Sequence, residues 1–193
     1  MIMIITYPRS GTHLMGKLIS NNVNFVGLKD NLTKKNEIIA GHYLYDEYAK
    51  YKSFYSEYKK IYVCRDIKDV LLSVLILRKM LDKVELSITD RQVKGHLDGW
   101  KRHINNWKQH DDKLIIRYEN LLTHYNIEKE KISTYLEVPL LPELPKVEDI
   151  EMSRKGIIGD HKNYFSDELI NDINVYCKDE LIYINKFLIM ENG

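Results

Sequence analysis

Short unbroken apolar runs alternate with amphipathic stretches along this chain, and that alternation predicts its elements. Met1–Tyr7 (M-I-M-I-I-T-Y) has no polar residue at every second position, so it reads as a strand buried on both faces. A tight Pro8–Gly11 loop comes next, then a helix from about Thr12 to Asn21. Asn24–Leu28 and Glu37–His42 are apolar runs with polar borders, predicted as two more buried strands. Asp46–Lys59 spaces tyrosines and charges as a helix would. Lys60–Cys64 is another strand, and Asp66 with Asp69 three residues on resembles a capping box opening a helix that runs to about Leu81. Arg91–His110 is a long amphipathic helix carrying Trp100 and Trp107, Lys113–Tyr118 a strand, and Ile127–Leu136 a helix. Pro139, Pro142 and Pro145 punctuate a loop that leads to Arg154–Asp160, where Gly156 and Gly159 act as breakers. Ser166, Asp167 and Glu168 supply the N-cap and acidic first turn of a last helix extending towards Ile189.

Strands alternating with helices imply an α/β fold, a three-layer α/β/α arrangement around a central parallel sheet, in which ligands bind outside the carboxyl ends of the strands. The chain's 193 residues suit a single domain over residues 1–193, and 44% hydrophobic with 30% charged residues predicts an ordinary packed core. Lys and Arg number 29 against 28 Asp and Glu, with no long block of one sign, so non-specific nucleic-acid binding is not expected. A few focused positive sites for one small anion remain compatible with that balance. No apolar run approaches the roughly 18 residues of a membrane span, and Met1–Tyr7 is too short for a signal segment, so the expectation is a cytoplasmic protein without a membrane partner. Cys64 and Cys177 lack metal-ligand spacing and read as core thiols, with no metal and no disulfide framework.

Chemistry first shows at Thr6–His13 (T-Y-P-R-S-G-T-H). Gly, Ser and Thr between a buried strand and a helix aim backbone N–H groups at an anion, and Arg9 adds a forked, permanently charged donor. A plain strand-to-helix turn is the alternative on this segment alone. Gly11, Gly16 and Lys17 also match most of the G-x-x-x-x-G-K nucleotide-binding pattern, but the next residue is Leu18, which cannot ligand magnesium. Gly16 and Lys17 are moreover expected inside the helix, which makes a P-loop nucleotide kinase the weaker alternative.

In chain order, Y-P-R-S-G-T-H-L (Tyr7–Leu14), I-Y-V-C-R-D-I-K-D-V-L-L-S (Ile61–Ser73), I-I-R-Y-E-N-L (Ile115–Leu121) and R-K-G-I-I-G-D-H-K-N-Y-F (Arg154–Phe165) resemble motifs of the PAPS-dependent sulfotransferases, as a compact relative of their cytosolic branch. PAPS is 3′-phosphoadenosine-5′-phosphosulfate. The resemblance implies a P-loop-like sulfotransferase fold and transfer of a sulfuryl group from PAPS, leaving PAP, to a hydroxyl or amine. It implies donor binding by Arg9, Ser10, Gly11, Thr12 and His13 at the 5′ side. Arg65, Ser73, Arg154, Lys155 and Gly156 would bind the 3′-phosphate, and Tyr118 would lie beside the adenosine. A-G-H-Y-L-Y (Ala40–Tyr45) is similar to the family's K-T-H segment, which makes His42 the implied general base beside Arg9 as the charge-stabilising group.

The chain departs from the family pattern at Arg9 and Ala40, both usually Lys, and at Leu14 and His161, both usually Trp. Adenine packing is accordingly expected from Met152 or Tyr118. Asp167 and Asn171 degrade the family's dimer pattern, so a monomer or weak oligomer is expected. The acceptor is open among a small molecule, a glycan and a protein-borne group, and a PAP- or PAPS-binding protein without turnover is the alternative function.

Overall fold

A computed structural model describes residues 1–20, 23–32, 36–150 and 155–189. Its centre is a five-stranded sheet in the order β2-β3-β1-β4-β5, with every pairing parallel. The strands are β1 (Ile2–Thr6), β2 (Asn24–Phe25), β3 (Ile38–Gly41), β4 (Lys59–Cys64) and β5 (Leu114–Arg117). β1 lies in the middle, with Ile4 opposite Ala40 on one side and Ile61 on the other. Its residues alternate between two cores. Met3 and Ile5 join Tyr62, Cys64, Val70, Leu97 and Trp107 on one face, while Ile2 and Ile4 join Leu14, Leu18, Val63, Leu121 and Ile132 on the other. Both faces are therefore covered, as an all-parallel sheet requires, and the expected three-layer architecture is present.

Helix α1 (Thr12–Ile19) covers one face together with α6 (Tyr118–Thr123) and α7 (Tyr125–Leu136). The other face carries α2 (Leu28–Asn31), α3 (Tyr45–Ala49), α4 (Ile67–Leu77), α5 (Arg91–Lys108), α8 (Asp167–Tyr176) and α9 (Lys178–Asn185). Among the described residues no helix is long and apolar enough to cross a membrane.

Several elements differ from the sequence expectation for identifiable reasons. The strand expected over Asn24–Leu28 shrinks to two residues because Gly27 begins α2. The helix expected over Asp46–Lys59 stops at Ala49 and continues as tight turns, with Tyr51 N–H donating to the Tyr48 carbonyl and Phe54 N–H to that of Tyr51. Buried tyrosines hold those turns: the Tyr55 hydroxyl donates to the Leu28 carbonyl at 2.5 Å and that of Tyr58 to the Asn36 carbonyl at 2.6 Å. Helix α4 ends at Leu77 rather than Leu81. Lys79 adopts left-handed φ +54°, its N–H bonds Ile76, and Met80 N–H bonds Leu75, a Schellman termination without glycine. The last helix is broken at Cys177. Of the expected capping box, Asp66 does accept from Lys68 N–H at 2.9 Å, whereas Asp69 turns away to another partner.

Candidate active site

Because all strands run parallel, the segments that leave β1, β3, β4 and β5 emerge at one edge of the sheet, where they surround a cleft of about 480 Å³. The chain leaves β1 through a turn closed by Ser10 N–H donating to the Tyr7 carbonyl at 3.1 Å. Arg9 and Gly11 both take left-handed conformations, φ +69° and +110°. Gly11 is required twice over: a Cβ there would lie 2.5 Å from Cδ2 of Tyr118, and its φ disfavours any side chain. Gly11 is also the N-cap of α1, and among the described residues no side chain caps that helix, so its first N–H groups face the cleft. Ser10 is buried with its hydroxyl lacking a partner among the described residues, as is Nε of Arg65. Orphaned buried donors beside a helix N-terminus fit the oxygens of a phosphate or sulfate group.

Thr6 ends β1 and links the loop to the next strand. Its hydroxyl lies 2.5 Å from that of Thr12 and 3.1 Å from Nδ1 of His42, while its carbonyl lies 3.0 Å from the same nitrogen. A carbonyl can only accept, so Nδ1 carries the proton and Nε2 is left with a lone pair. Solvent reaches His42 through the cleft, yet the protein around it lowers its pKa below 6.5. Desolvation is the main cause, opposed by the Thr6 carbonyl and reinforced by His13 and Arg9. The ring is thus neutral near pH 7.

Helix α5 secures the segment that bears His42. Trp107 donates Nε1–H to the Tyr43 carbonyl at 2.7 Å, and Asn106 Oδ1 accepts from the N–H groups of Tyr45 and, at 3.3 Å, Asp46. Sequence reasoning places Trp107 on the right helix but offers no signal for this contact, which joins positions more than sixty residues apart.

β4 ends at the cationic side of the cleft. Arg65 lies 4.2 Å over the ring of Tyr118 and donates Nη1–H to the Arg9 carbonyl at 3.3 Å. Arg9 in turn donates Nε–H to the Ser73 hydroxyl at 3.1 Å, tying the β1 loop to α4. The next residue after Arg65 is held by Glu119, which accepts from Asp66 N–H at 2.9 Å and pairs with Arg117 at 3.0 Å. Burial raises the pKa of Glu119, and the Arg117 charge works against that rise.

Arg9, Gly11, Thr12, His13, His42, Arg65, Ser73, Tyr118, Lys155 and Gly156 all line this one cleft, and Ser10 sits buried in its loop. Arg154 and Met152 lie outside the described residues. Gly16 and Lys17 fall within α1 and do not line the cleft. The walls divide by character. Arg9, Arg65 and Lys155 supply positive charge, while Leu14, Phe25, Val26, Tyr43 and Leu77 are apolar, with His13 stacked on Phe25 at 4.4 Å between ring centroids.

Comparison with known proteins decides the family: the model described as the sulfotransferase domain matches residues 29–150, well over half of the chain. The chain belongs to the sulfotransferase family. The matched stretch of this family member includes His42, Arg65, Ser73 and Tyr118, whereas the β1 loop and the segment at 155–156 lie outside it. Among solved structures it is similar to mouse sulfotransferase SULT7A1 complexed with PAP, at 18% identity, covering 93% of this chain and 84% of that one, with a TM-score of 0.66. It is also similar to retinol dehydratase in complex with androsterone and the inactive cofactor PAP, at 16% identity, covering 100% of this chain and 83% of that one, with a TM-score of 0.65. At these identities the likeness establishes a common fold. No curated protein matches.

Proposed function

We propose that this sulfotransferase-family chain transfers a sulfuryl group from PAPS to a hydroxyl or amine, with His42 as the general base. The observation that carries the proposal is that one cleft brings together cationic groups and a neutral imidazole. Arg9, Arg65, Ser73 and Lys155 line it with the α1 N-terminus, the buried Ser10 hydroxyl lies in its loop, and His42 keeps a lone pair on Nε2. The donor, when bound, supplies a sulfuryl group on a phosphate leaving group. The Thr6 carbonyl fixes the tautomer of His42, so that Nε2 takes the proton of the attacking hydroxyl or amine. Arg9 and the N–H groups of the loop offer fixed positive charge where charge develops in the transition state. Arg65 and Ser73, a strand end and a helix apart, grip a second phosphate, and the Tyr118 ring supports the adenosine between them.

Of the related folds, retinol dehydratase was solved with androsterone or retinol as well as PAP, and the apolar residues Phe25, Val26, Tyr43 and Leu77 of the cleft would suit the uncharged part of a small-molecule acceptor. Incubation with sulfur-labelled PAPS and a panel of phenols, aliphatic alcohols, amines, glycans and peptides tests the proposal. Label should pass to at least one acceptor, and His42→Ala should abolish the transfer. PAP binding with no transfer to any acceptor would instead mark a binding protein without turnover.

A further inference from the structure

Lys155 and Gly156 line the same cleft as Arg65 and Ser73 and belong to no regular element; Nζ of Lys155 lies 5.9 Å from the centre of the Tyr164 ring. Two left-handed glycines, Gly156 (φ +65°) and Gly159 (φ +74°), bracket Ile157 and Ile158, which are 47% and 42% exposed. Such a segment has flexible joints and little apolar burial of its own, so its place beside the cleft must be set from outside.

Helix α4 does this. Asp69 and Ser73 lie four residues apart, hence on one face of the helix. Ser73 lines the cleft, and Asp69, 1% exposed, meets the segment just beyond Gly156. Its carboxylate accepts Gly159 N–H at 2.7 Å, His161 N–H at 3.2 Å and His161 Nδ1–H at 2.7 Å. Burial alone would raise the pKa of Asp69. The bonds from His161 and Gly159, with the nearby Arg65 charge, outweigh it and bring the pKa below its ordinary value, so the acceptor is a carboxylate. Two of the three bonds come from backbone and are available to any residue at 161. The third exists because His stands there, and at 5% exposure water cannot readily replace it.

We propose that Asp69 and His161 form a clasp that positions Lys155 and Gly156 for donor binding, which makes His161 a positioning residue. The inference rests on the donor reading given under Proposed function. Loss of the Nδ1–H bond leaves Gly159 and the backbone of 161 to hold the segment and lets the two cleft residues move away from Arg65 and Ser73. His161→Phe keeps a ring and removes the donor, whereas His161→Asn restores an N–H at similar reach.

The test is PAP binding by titration calorimetry on the wild-type protein and both variants, with KM for PAPS and kcat measured alongside. His161→Phe should weaken PAP roughly 10- to 100-fold, the loss of one hydrogen bond to a charged group. It should raise KM for PAPS similarly with kcat within about twofold, and His161→Asn should recover most of the affinity. PAP affinity unchanged in His161→Phe overturns the clasp and leaves the donor reading standing, while no PAP binding by the wild-type protein overturns both. Should His161→Phe fail to fold, amide hydrogen exchange of the wild-type protein decides. If PAP binds the clasped form, PAP at 100 times its Kd should slow exchange of the Gly159 and His161 amides about 100-fold. Equal exchange with and without PAP overturns the inference.

Discussion

Replacing Arg65 by methionine tests the cationic end of the cleft without requiring an acceptor. Methionine keeps a long apolar side chain against Tyr118 and removes the guanidinium. In the native structure Arg65 is 7% exposed, gives Nη1–H to the Arg9 carbonyl at 3.3 Å, and has an Nε without a partner among the described residues. A phosphate at this point would gain one or two hydrogen bonds from a charged donor, each worth about 1.5–3 kcal/mol. Two such bonds, about 3–6 kcal/mol, correspond to a roughly 10²- to 10⁴-fold change in affinity. The substitution also removes the contact to the Arg9 carbonyl, a loss felt by any nucleotide. Comparing PAP with adenosine 5′-phosphate, which lacks the 3′-phosphate, separates the two effects as a thermodynamic cycle does. By calorimetry the wild-type protein should prefer PAP strongly, and Arg65→Met should lose most of that preference while binding adenosine 5′-phosphate far less altered. An equal weakening of both ligands would show that Arg65 supports the loop and does not grip the phosphate.

The pH profile of kcat/KM should rise on an acidic limb with an inflection below 6.5, because desolvation of His42 by the protein around it favours its neutral, proton-accepting form. His42→Ala should remove that inflection and lower the rate roughly 10²- to 10⁴-fold, as read by initial velocities with labelled PAPS. Gly11→Ala should cost on the order of 1–3 kcal/mol in urea unfolding, from a left-handed φ and a Cβ 2.5 Å from Tyr118, and should weaken PAP as well. His103 is buried against the Tyr62 hydroxyl at 2.8 Å, and desolvation, with a smaller contribution from His42, pushes its pKa down to about 3. The unfolded chain then binds the extra proton first, so this contribution is full above pH 6.5 and is lost as pH falls towards 3. Between pH 7 and 5 the wild-type protein should lose about 2 kcal/mol more in urea unfolding than His103→Gln.

Where a candidate site residue sits within its own strand-loop-helix unit, its place in the cleft was legible from sequence. Pro8 to Thr12, His42, Arg65 and Ser73 each come after a short apolar run that reads as a buried strand, and parallel strands deliver their succeeding loops to one edge. Contacts between distant segments were not legible. Nothing at His161 signals Asp69, ninety-two positions earlier, because a hydrogen bond across that separation depends on how α4 lies against the turn at 160. The same holds for Trp107 and the Tyr43 carbonyl. Short helices escaped for another reason. α2 and α6 span 4 and 6 residues, too few for helical periodicity to emerge, and tertiary packing holds them rather than propensity. The early end of α4 rests on a lysine in a conformation that glycine normally marks.

β1 precedes the other four strands along the chain yet stands at the middle of the sheet, with β3 on one side and β4 on the other. A ribosome must therefore release the chain through residue 64 before β1 has both neighbours, and through residue 117 before the sheet is whole. Until then a pentapeptide apolar at all but its last position is without its shelter, so this stretch calls for chaperone cover during translation. Nascent chains halted before β4 should accordingly be sticky, and only those long enough to include α6 to α9, which cover the two faces, should not.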